Sequence, residues 1–565
     1  ASMELQSISH NPTVFSQFRS VHKKAHHPLL LNLFTWLRIH WPIVLIVIFA
    51  TPLVCYNLSY EPYWQDELTS IYAAKGILAH GIPVLPSGFV YTKAELYSYM
   101  LALDIAIFGD HNGGARILSI IEYLVSLPLL YIAGTYFFGR KVAIVATALM
   151  AFSPLLLTWG RQARMYEQAQ LFTLLTIYLI YRALHERYRP SLVYLAIGSI
   201  VLTYLSHEET FILLPGIVLW VLVTSKDEKR PVFAVLFQKH WWIAGTIGAS
   251  IIFAQLTVVH LTGSPSLGTD STQSPFIQFT TINVPFYLKS LFAPWSFLAN
   301  NNPPSITLSS ILAVIGCILA FLDKSSKARY CAWMLLTSMF TLVFIFGWRD
   351  ERYIYPILPV YYLMAGYALL RISHAIWTFP RTYQVFFQSG RNTSVILGNG
   401  IYIRMIATLT FIFLCASVLI SAALPLNGYN LFLSRQLGIT SHVHYPDYVG
   451  IGQYMQQHYR KGDIVISIIP DVDTLYYVGH SDYFFSLNRS LFLFERNGQI
   501  VDTSIGSSPL LNQADFLAAI NQNKRVWILS DNGVYQNAVL KQFTLPPSFH
   551  LVYSGYASAI FLSEG

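Results

Sequence analysis

The chain has 565 residues, of which 54% are hydrophobic and 11% charged, with a net charge of +8 at pH 7. Soluble proteins carry roughly 25% charged residues, so a water-soluble globule, a disordered chain and a fibrous repeat are all excluded. A multi-spanning membrane protein remains.

An N-terminal arm, 1–40, carries Arg19, Lys23, Lys24 and Arg38 ahead of the first apolar run, 41–58. This basic flank predicts a cytoplasmic N-terminus and an uncleaved first helix. Further runs long enough to span lie near 117–138, 142–158, 168–184, 192–206, 210–224, 240–261, 306–322, 330–347, 354–371 and 404–424, which predicts about eleven spans. The alternating loops then place about 20 of the 36 Lys and Arg inside and about 8 outside, as positive-inside topology requires. That placement accounts for the basic charge without nucleic acid, and no basic, aromatic-studded groove argues for it.

Residues 96–108 (LYSYMLALDIAIF) are short for a span and contain Asp104. Counted as a span, they would move every later basic cluster outside. They are read as an interfacial or re-entrant helix within one long external loop, 59–116. After residue 425, β-like runs at 464–469, 525–530 and 550–555 alternate with helical stretches at 446–459 and 513–522. The fold class expected is a polytopic α-helical membrane domain, 41–425, with an extracytoplasmic α/β domain, 426–565. No phosphate-binding glycine motif is present. Cys55, Cys317, Cys331 and Cys415 lie in or beside apolar runs, which suits neither a disulfide framework nor a zinc site.

The candidate chemistry lies on the external side. YEPYWQDELTS places Asp66 and Glu67 just past the first span, beside aromatics that favour the headgroup level. Lys93 precedes the interfacial helix. WGRQARMYEQAQ brings Arg161, Arg164, Tyr166 and Glu167, SHEET brings His207, Glu208 and Glu209, and GWRDERYIYPILP brings Arg349, Asp350, Glu351, Arg352 and Tyr353. Singly, each reads as a solvated acid, a snorkelling anchor or a structural ion pair. As a recurring set on external loops they suit one cavity: guanidinium and ammonium groups hold a phosphate, and a carboxylate takes a proton from an incoming hydroxyl or amine. A sugar on a lipid phosphate uses both.

These motifs resemble the GT-C superfamily of integral-membrane glycosyltransferases, in the style of the lipid A aminoarabinose transferases and protein O-mannosyltransferases. The matching features are Asp66-Glu67, Lys93 to Tyr97, Phe108-Gly109 with Ala115-Arg116, RQARMYEQAQL at 161–171 and RYIYPILP at 352–359. The resemblance implies Asp66 as the catalytic carboxylate and Lys93 as a cation on the lipid phosphate. Lys93-Ala-Glu-Leu departs from the common Lys-Pro-Pro-Leu, and Glu167 stands where some members have Asp.

The function expected is an inverting glycosyltransferase in the plasma (inner) membrane. It takes a sugar from a polyprenyl-phosphate donor to a lipid, glycan or protein acceptor at the external face. Asp66 is its base, assisted by Glu67; Lys93, Arg164, Arg349 and Arg352 hold the phosphate. Glu167, His207, Glu208 and Tyr353 are acceptor-side or second-carboxylate candidates. No cofactor is required, and a divalent metal at His207 and Glu208 stays open. The competing classes are a transporter or flippase of lipid-linked sugars and a non-catalytic binder.

Overall fold

The computed structural model describes residues 28–387 and 447–564, together with 408, apart from 57, 60–61, 112, 225–235, 263–278, 280, 282, 293–306, 348–349, 469–470, 487–492, 522–524, 532–533 and 556–557. The expected boundary near 425 and the run at 404–424 lie outside the described residues.

The first helix, α1 (Pro28–Cys55), begins inside the arm that the sequence places before the membrane. Two helices follow, α2 (Gln65–His80) and α3 (Glu95–Phe108). The bundle continues with α4 (Ile117–Phe138), α5 (Arg140–Ala151), α6 (Pro154–Trp159), α7 (Tyr166–His185), α8 (Pro190–Ser206), α9 (Leu213–Thr224), α10 (Lys239–Thr262), α11 (Asn283–Phe292), α12 (Thr307–Leu322), α13 (Ser326–Phe344) and α14 (Leu358–Phe387). Short 3-10 turns at Gly114–Arg116, Glu208–Ile212 and Glu351–Ile357 open α4, α9 and α14.

Among the described residues, four helical stretches are long and apolar enough to cross a membrane: Arg38–Cys55, Gly114–Phe138, Lys239–Leu261 and Arg352–Ala375. The run read as one span at 142–158 is instead two helices. Pro154 lacks the N–H that would continue α5, so the chain turns at Phe152-Ser153 and restarts with Pro154 in the first turn of α6. The run at 354–371 extends to Phe387. Residues 95–108 form a separate fourteen-residue helix.

Helix α7 is buried along most of its length between α4 and α8, whereas α1 and α10 expose Trp41, Phe49, Trp242 and Phe253. Apolar side chains on an outer surface suit lipid, which asks only that backbone groups be paired. Helices α12 and α14 touch at Gly316, where an added Cβ would lie 2.2 Å from the Met364 carbonyl oxygen. Such close approach is how small residues pack helices in membranes.

The C-terminal part holds α15 (Tyr448–His458), α16 (Asp471–Val478), α17 (Gln513–Ile520) and α18 (Val534–Gln542) around a six-stranded sheet. Its strands are β1 (Ile464–Ser467), β2 (Tyr483–Phe485), β5 (Ser508–Leu510), β6 (Val526–Asp531), β7 (His550–Gly555) and β8 (Ser558–Ser563), in the order β5-β2-β1-β6-β8-β7. The β5-β2-β1-β6 part is parallel, and β8 and β7 add on antiparallel. Ile464, Ile466 and Ile528 pack on one face, while Val465, Trp527 and Leu529 pack on the other. This two-sided burial is why these strands read as continuous apolar runs. A hairpin of β3 (Leu493–Arg496) and β4 (Gln499–Asp502) turns at Asn497-Gly498, both with positive φ, the dipeptide that such turns prefer.

This domain seats on the segment that carries α2 and α3. The Ser87 N–H and hydroxyl donate to the carbonyls of Ser504 and Thr503, and the Tyr477 and Tyr476 hydroxyls donate to those of Tyr63 and Asp110. Between these contacts the loop delivers Lys93 to the bundle through Ala94, a buried residue in the left-handed conformation (φ 55°, ψ 55°). Proline is locked near φ −65°, which explains why a Lys-Pro pattern is not used here. Ala94→Gly is expected to raise stability by about 0.5–1 kcal/mol by relieving this conformation. Ala94→Pro is expected to lower the thermal unfolding midpoint and displace Lys93. Equal midpoints for both variants would refute the constraint.

Candidate active site

The site forms where α2, the segment before α7 and the turn before α14 meet. Asp66 lies in the first turn of α2, and one of its carboxylate oxygens faces two guanidinium groups. Arg352 lies 2.5 Å away and Arg164 3.5 Å away. Arg164 is itself fixed, donating to the Asp66 carbonyl at 2.8 Å and to the Ser70 hydroxyl at 2.9 Å. Asp350 holds Arg352 from the other side at 2.9 Å. Both guanidiniums stand over the ring of buried Tyr166, at 5.7 and 5.9 Å from its centroid. Lys93 is exposed at the mouth, within electrostatic reach of Asp66 and His207.

Burial pushes the Asp66 carboxyl up, but Arg164, Arg352 and Lys93 together outweigh it, and the group sits below its ordinary range. Asp66 is therefore ionised at neutral pH. Its side chain is 27% exposed, so solvent reaches it.

Glu67, the neighbouring acid, points the opposite way. It forms a buried two-pronged pair with Arg116, at 2.8 and 2.7 Å, and accepts the Ala163 N–H at 2.8 Å. Arg116 also donates to the carbonyls of Leu58 and Pro62. Glu67 thus ties α2 to the starts of α4 and α7 and fixes the direction of Asp66. Arg116 stands in the sequence in Ala115-Arg116, where it was given no such role.

The second-carboxylate candidate Glu167 is fully buried beneath the site, bonded by the Tyr355 hydroxyl and by Gln170 at 3.2 Å, and does not join Asp66. His207 stacks on Tyr166 at 5.6 Å and accepts the Glu209 N–H at Nδ1. Burial and the nearby Arg164, Lys93 and Arg352 push it well below the usual histidine range, so it is neutral. Of the two acids that follow, Glu208 is half-buried and lies toward Glu95 and Tyr204. Glu209 rather than Glu208 is the one enclosed beside Arg352, and among the described residues neither of its carboxyl oxygens has a hydrogen-bond partner. Burial raises it well above the ordinary range against the pull of Arg352.

Tyr353 sits beside Arg352, whose guanidinium lies 5.9 Å from its ring. Arg349 lies outside the described residues. Arg161 turns away toward the Leu53 carbonyl. Glu95, whose charge would oppose a phosphate at Lys93, is instead bonded by Gln255. Among the described residues, no group of three or more His, Cys, Asp or Glu is arranged to hold a metal ion.

The fold and this cluster define a polytopic membrane protein with a carboxylate held between cations beneath an α/β domain. Residues 92–258 match a family model described as dolichyl-phosphate-mannose-protein mannosyltransferase. ArnT from Cupriavidus metallidurans bound to undecaprenyl phosphate is similar over 92% of this chain and 98% of that one, with TM-score 0.60 and 12% identity. Archaeal oligosaccharyltransferase AglB from Archaeoglobus fulgidus, in complex with an inhibitory peptide and a dolichol-phosphate, is similar over 94% and 75%, with TM-score 0.51 and 10% identity. No curated protein matches the chain. The fold is shared with ArnT and AglB.

Proposed function

We propose that the protein is an inverting glycosyltransferase that moves a sugar from a polyprenyl-phosphate carrier to an acceptor at the extracytoplasmic face of the membrane. The observation that carries this reading is the grip of Arg164 and Arg352 on Asp66, with Lys93 at the mouth. The likeness to ArnT and AglB, both seen with a lipid phosphate, supports the donor class.

When a donor phosphate enters, Arg352, Arg164 and Lys93 turn to its oxygens and Asp66 is released. A carboxylate that loses its cations becomes more basic, so donor binding readies the base. The acceptor oxygen or nitrogen gives its proton to Asp66 and bonds to the anomeric carbon from the face opposite the phosphate. The bond from that carbon to the phosphate oxygen breaks, and its electron pair leaves with the phosphate, where the cations stabilise it. One displacement inverts the anomeric centre. Asp66 and Glu167 lie in the first turns of their helices. A transporter would be expected to carry such groups through the depth of its spans.

The test is release of free polyprenyl phosphate by the purified full chain, given a panel of polyprenyl-phosphate sugars and a crude membrane-glycan extract. Release with one donor sugar is the expected result. Binding of carrier without release in any combination would favour a transporter or a non-catalytic binder.

A further inference from the structure

Helix α16 of the C-terminal domain lies against α2, the helix that carries Asp66. Asp473, Tyr476 and Tyr477 are spaced i, i+3 and i+4 and share the face turned toward it. The two tyrosines hold the seam. Tyr477 donates to the Tyr63 carbonyl and Tyr476 to the Asp110 carbonyl, each at 3.0 Å. The Tyr476 ring meets those of Tyr63 and Tyr72 edge-on at 6.0 and 6.5 Å. Asp473 is different: it has no solvent exposure, and among the described residues neither of its carboxyl oxygens has a hydrogen-bond partner in another residue. It stands within electrostatic reach of Asp66 and Glu67. A buried carboxyl without a partner in another residue costs stability, and the sugar transfer outlined above gives it no task.

We propose that the seam between α2 and α16 seats the acceptor, and that Asp473 there holds two adjacent hydroxyls of a saccharide within reach of Asp66. This rests on the transferase reading and names its acceptor class. Burial, with Asp66 and Glu67 nearby, raises Asp473 well above the carboxylate range, so it offers one O–H donor and one carbonyl acceptor. Neighbouring sugar hydroxyls, each both donor and acceptor, match that pair. A serine or threonine side chain brings a single hydroxyl and would leave one carboxyl oxygen unpaired. The rings of Tyr63, Tyr72 and Tyr476 supply the apolar surface that a sugar's C–H face covers. With the seam closed Asp473 is enclosed, so the acceptor enters as α16 moves off α2. The tyrosine-to-carbonyl bonds that tie the seam are ones that water replaces on opening.

The test is equilibrium binding of a panel of methyl hexosides and methyl pentosides to the full chain in nanodiscs, read by saturation-transfer NMR without any donor. Wild type is expected to bind at least one glycoside. Asp473→Leu should weaken it about tenfold or more, the loss of one or two hydrogen bonds, while Asp473→Asn, which keeps a donor and an acceptor, should retain it. Removing one hydroxyl of the bound diol should weaken wild type and leave Asp473→Leu unchanged. The unfolding midpoint of Asp473→Leu should equal or exceed that of wild type, which separates lost recognition from lost structure. Undiminished binding by Asp473→Leu would overturn the proposal, as would binding of a serine/threonine peptide with no glycoside bound, or of neither. Binding is read apart from turnover, so failure here leaves the release assay standing, and the reverse.

Discussion

Asp66→Asn is expected to reduce sugar transfer by about 10²–10⁴-fold, the contribution typical of a positioned general base, and at the same time to tighten binding of free polyprenyl phosphate. The second effect follows from the ion pairs with Arg352 and Arg164. In wild type a phosphate must displace the carboxylate from both guanidiniums, whereas beside a neutral amide it meets them unopposed. A tightening of about tenfold corresponds to 1.4 kcal/mol. The measurements are single-turnover transfer and equilibrium binding of the carrier phosphate on the same preparations. Transfer retained in Asp66→Asn would remove Asp66 as the base; transfer lost with phosphate binding also lost would make it a structural anchor. A pH dependence accompanies this. The folded Asp66 carboxyl lies below its unfolded value, so its stabilising contribution is present above roughly pH 4 and is lost as pH falls through the folded value. Asp66→Asn should lack that loss.

The second large effect is expected at Glu67 and Arg116. Their side chains are almost wholly buried and joined by two hydrogen bonds. Glu67→Gln leaves Arg116 charged and enclosed without its counter-charge, a change that typically costs about 3–5 kcal/mol. The thermal unfolding midpoint should fall clearly, and transfer should fall with it because the amide NH2 that replaces the second carboxylate oxygen opposes Arg116 and loosens the tie between α2 and α4. Replacing both residues, Glu67→Leu with Arg116→Met, should recover much of the stability, since an apolar pair of similar volume needs no counter-charge. It should not recover transfer, because Asp66 is no longer aimed. A Glu67→Gln protein that unfolds at the wild-type temperature would show that the pair is dispensable.

The scarcity of charge made the membrane class legible, and the short acid-bearing segment at 96–108 made a separate short helix legible. The Asn497-Gly498 signal for a hairpin was present but sat outside the runs read as strands. The single span at 142–158 failed because apolarity alone does not register the backbone break that Ser153-Pro154 imposes. Within the site, Asp66, Arg164 and Arg352 could be named because residues of these types recurred on external loops. Glu67 and Glu208 could not be told from their neighbours, since adjacent residues on a helical turn point about 100° apart and only packing decides which one faces the cavity. Asp473 was out of reach for a different reason. Its significance lies in what it fails to bond with, and that depends on how a separate domain seats on α2.

The charged cluster also has a history in time. Glu67 meets an arginine 49 residues downstream, the Asp66 carbonyl meets Arg164 after 98, and the Asp66 carboxylate meets Arg352 only after 286. At about 5–20 residues per second of synthesis, the first partner is made within seconds, while Arg352 follows Asp66 by roughly 15–60 s. The nascent chain therefore fixes the orientation of its acid early and completes the cation pair around it late. A ribosome-bound intermediate that ends before α14 holds Asp66 without Arg352.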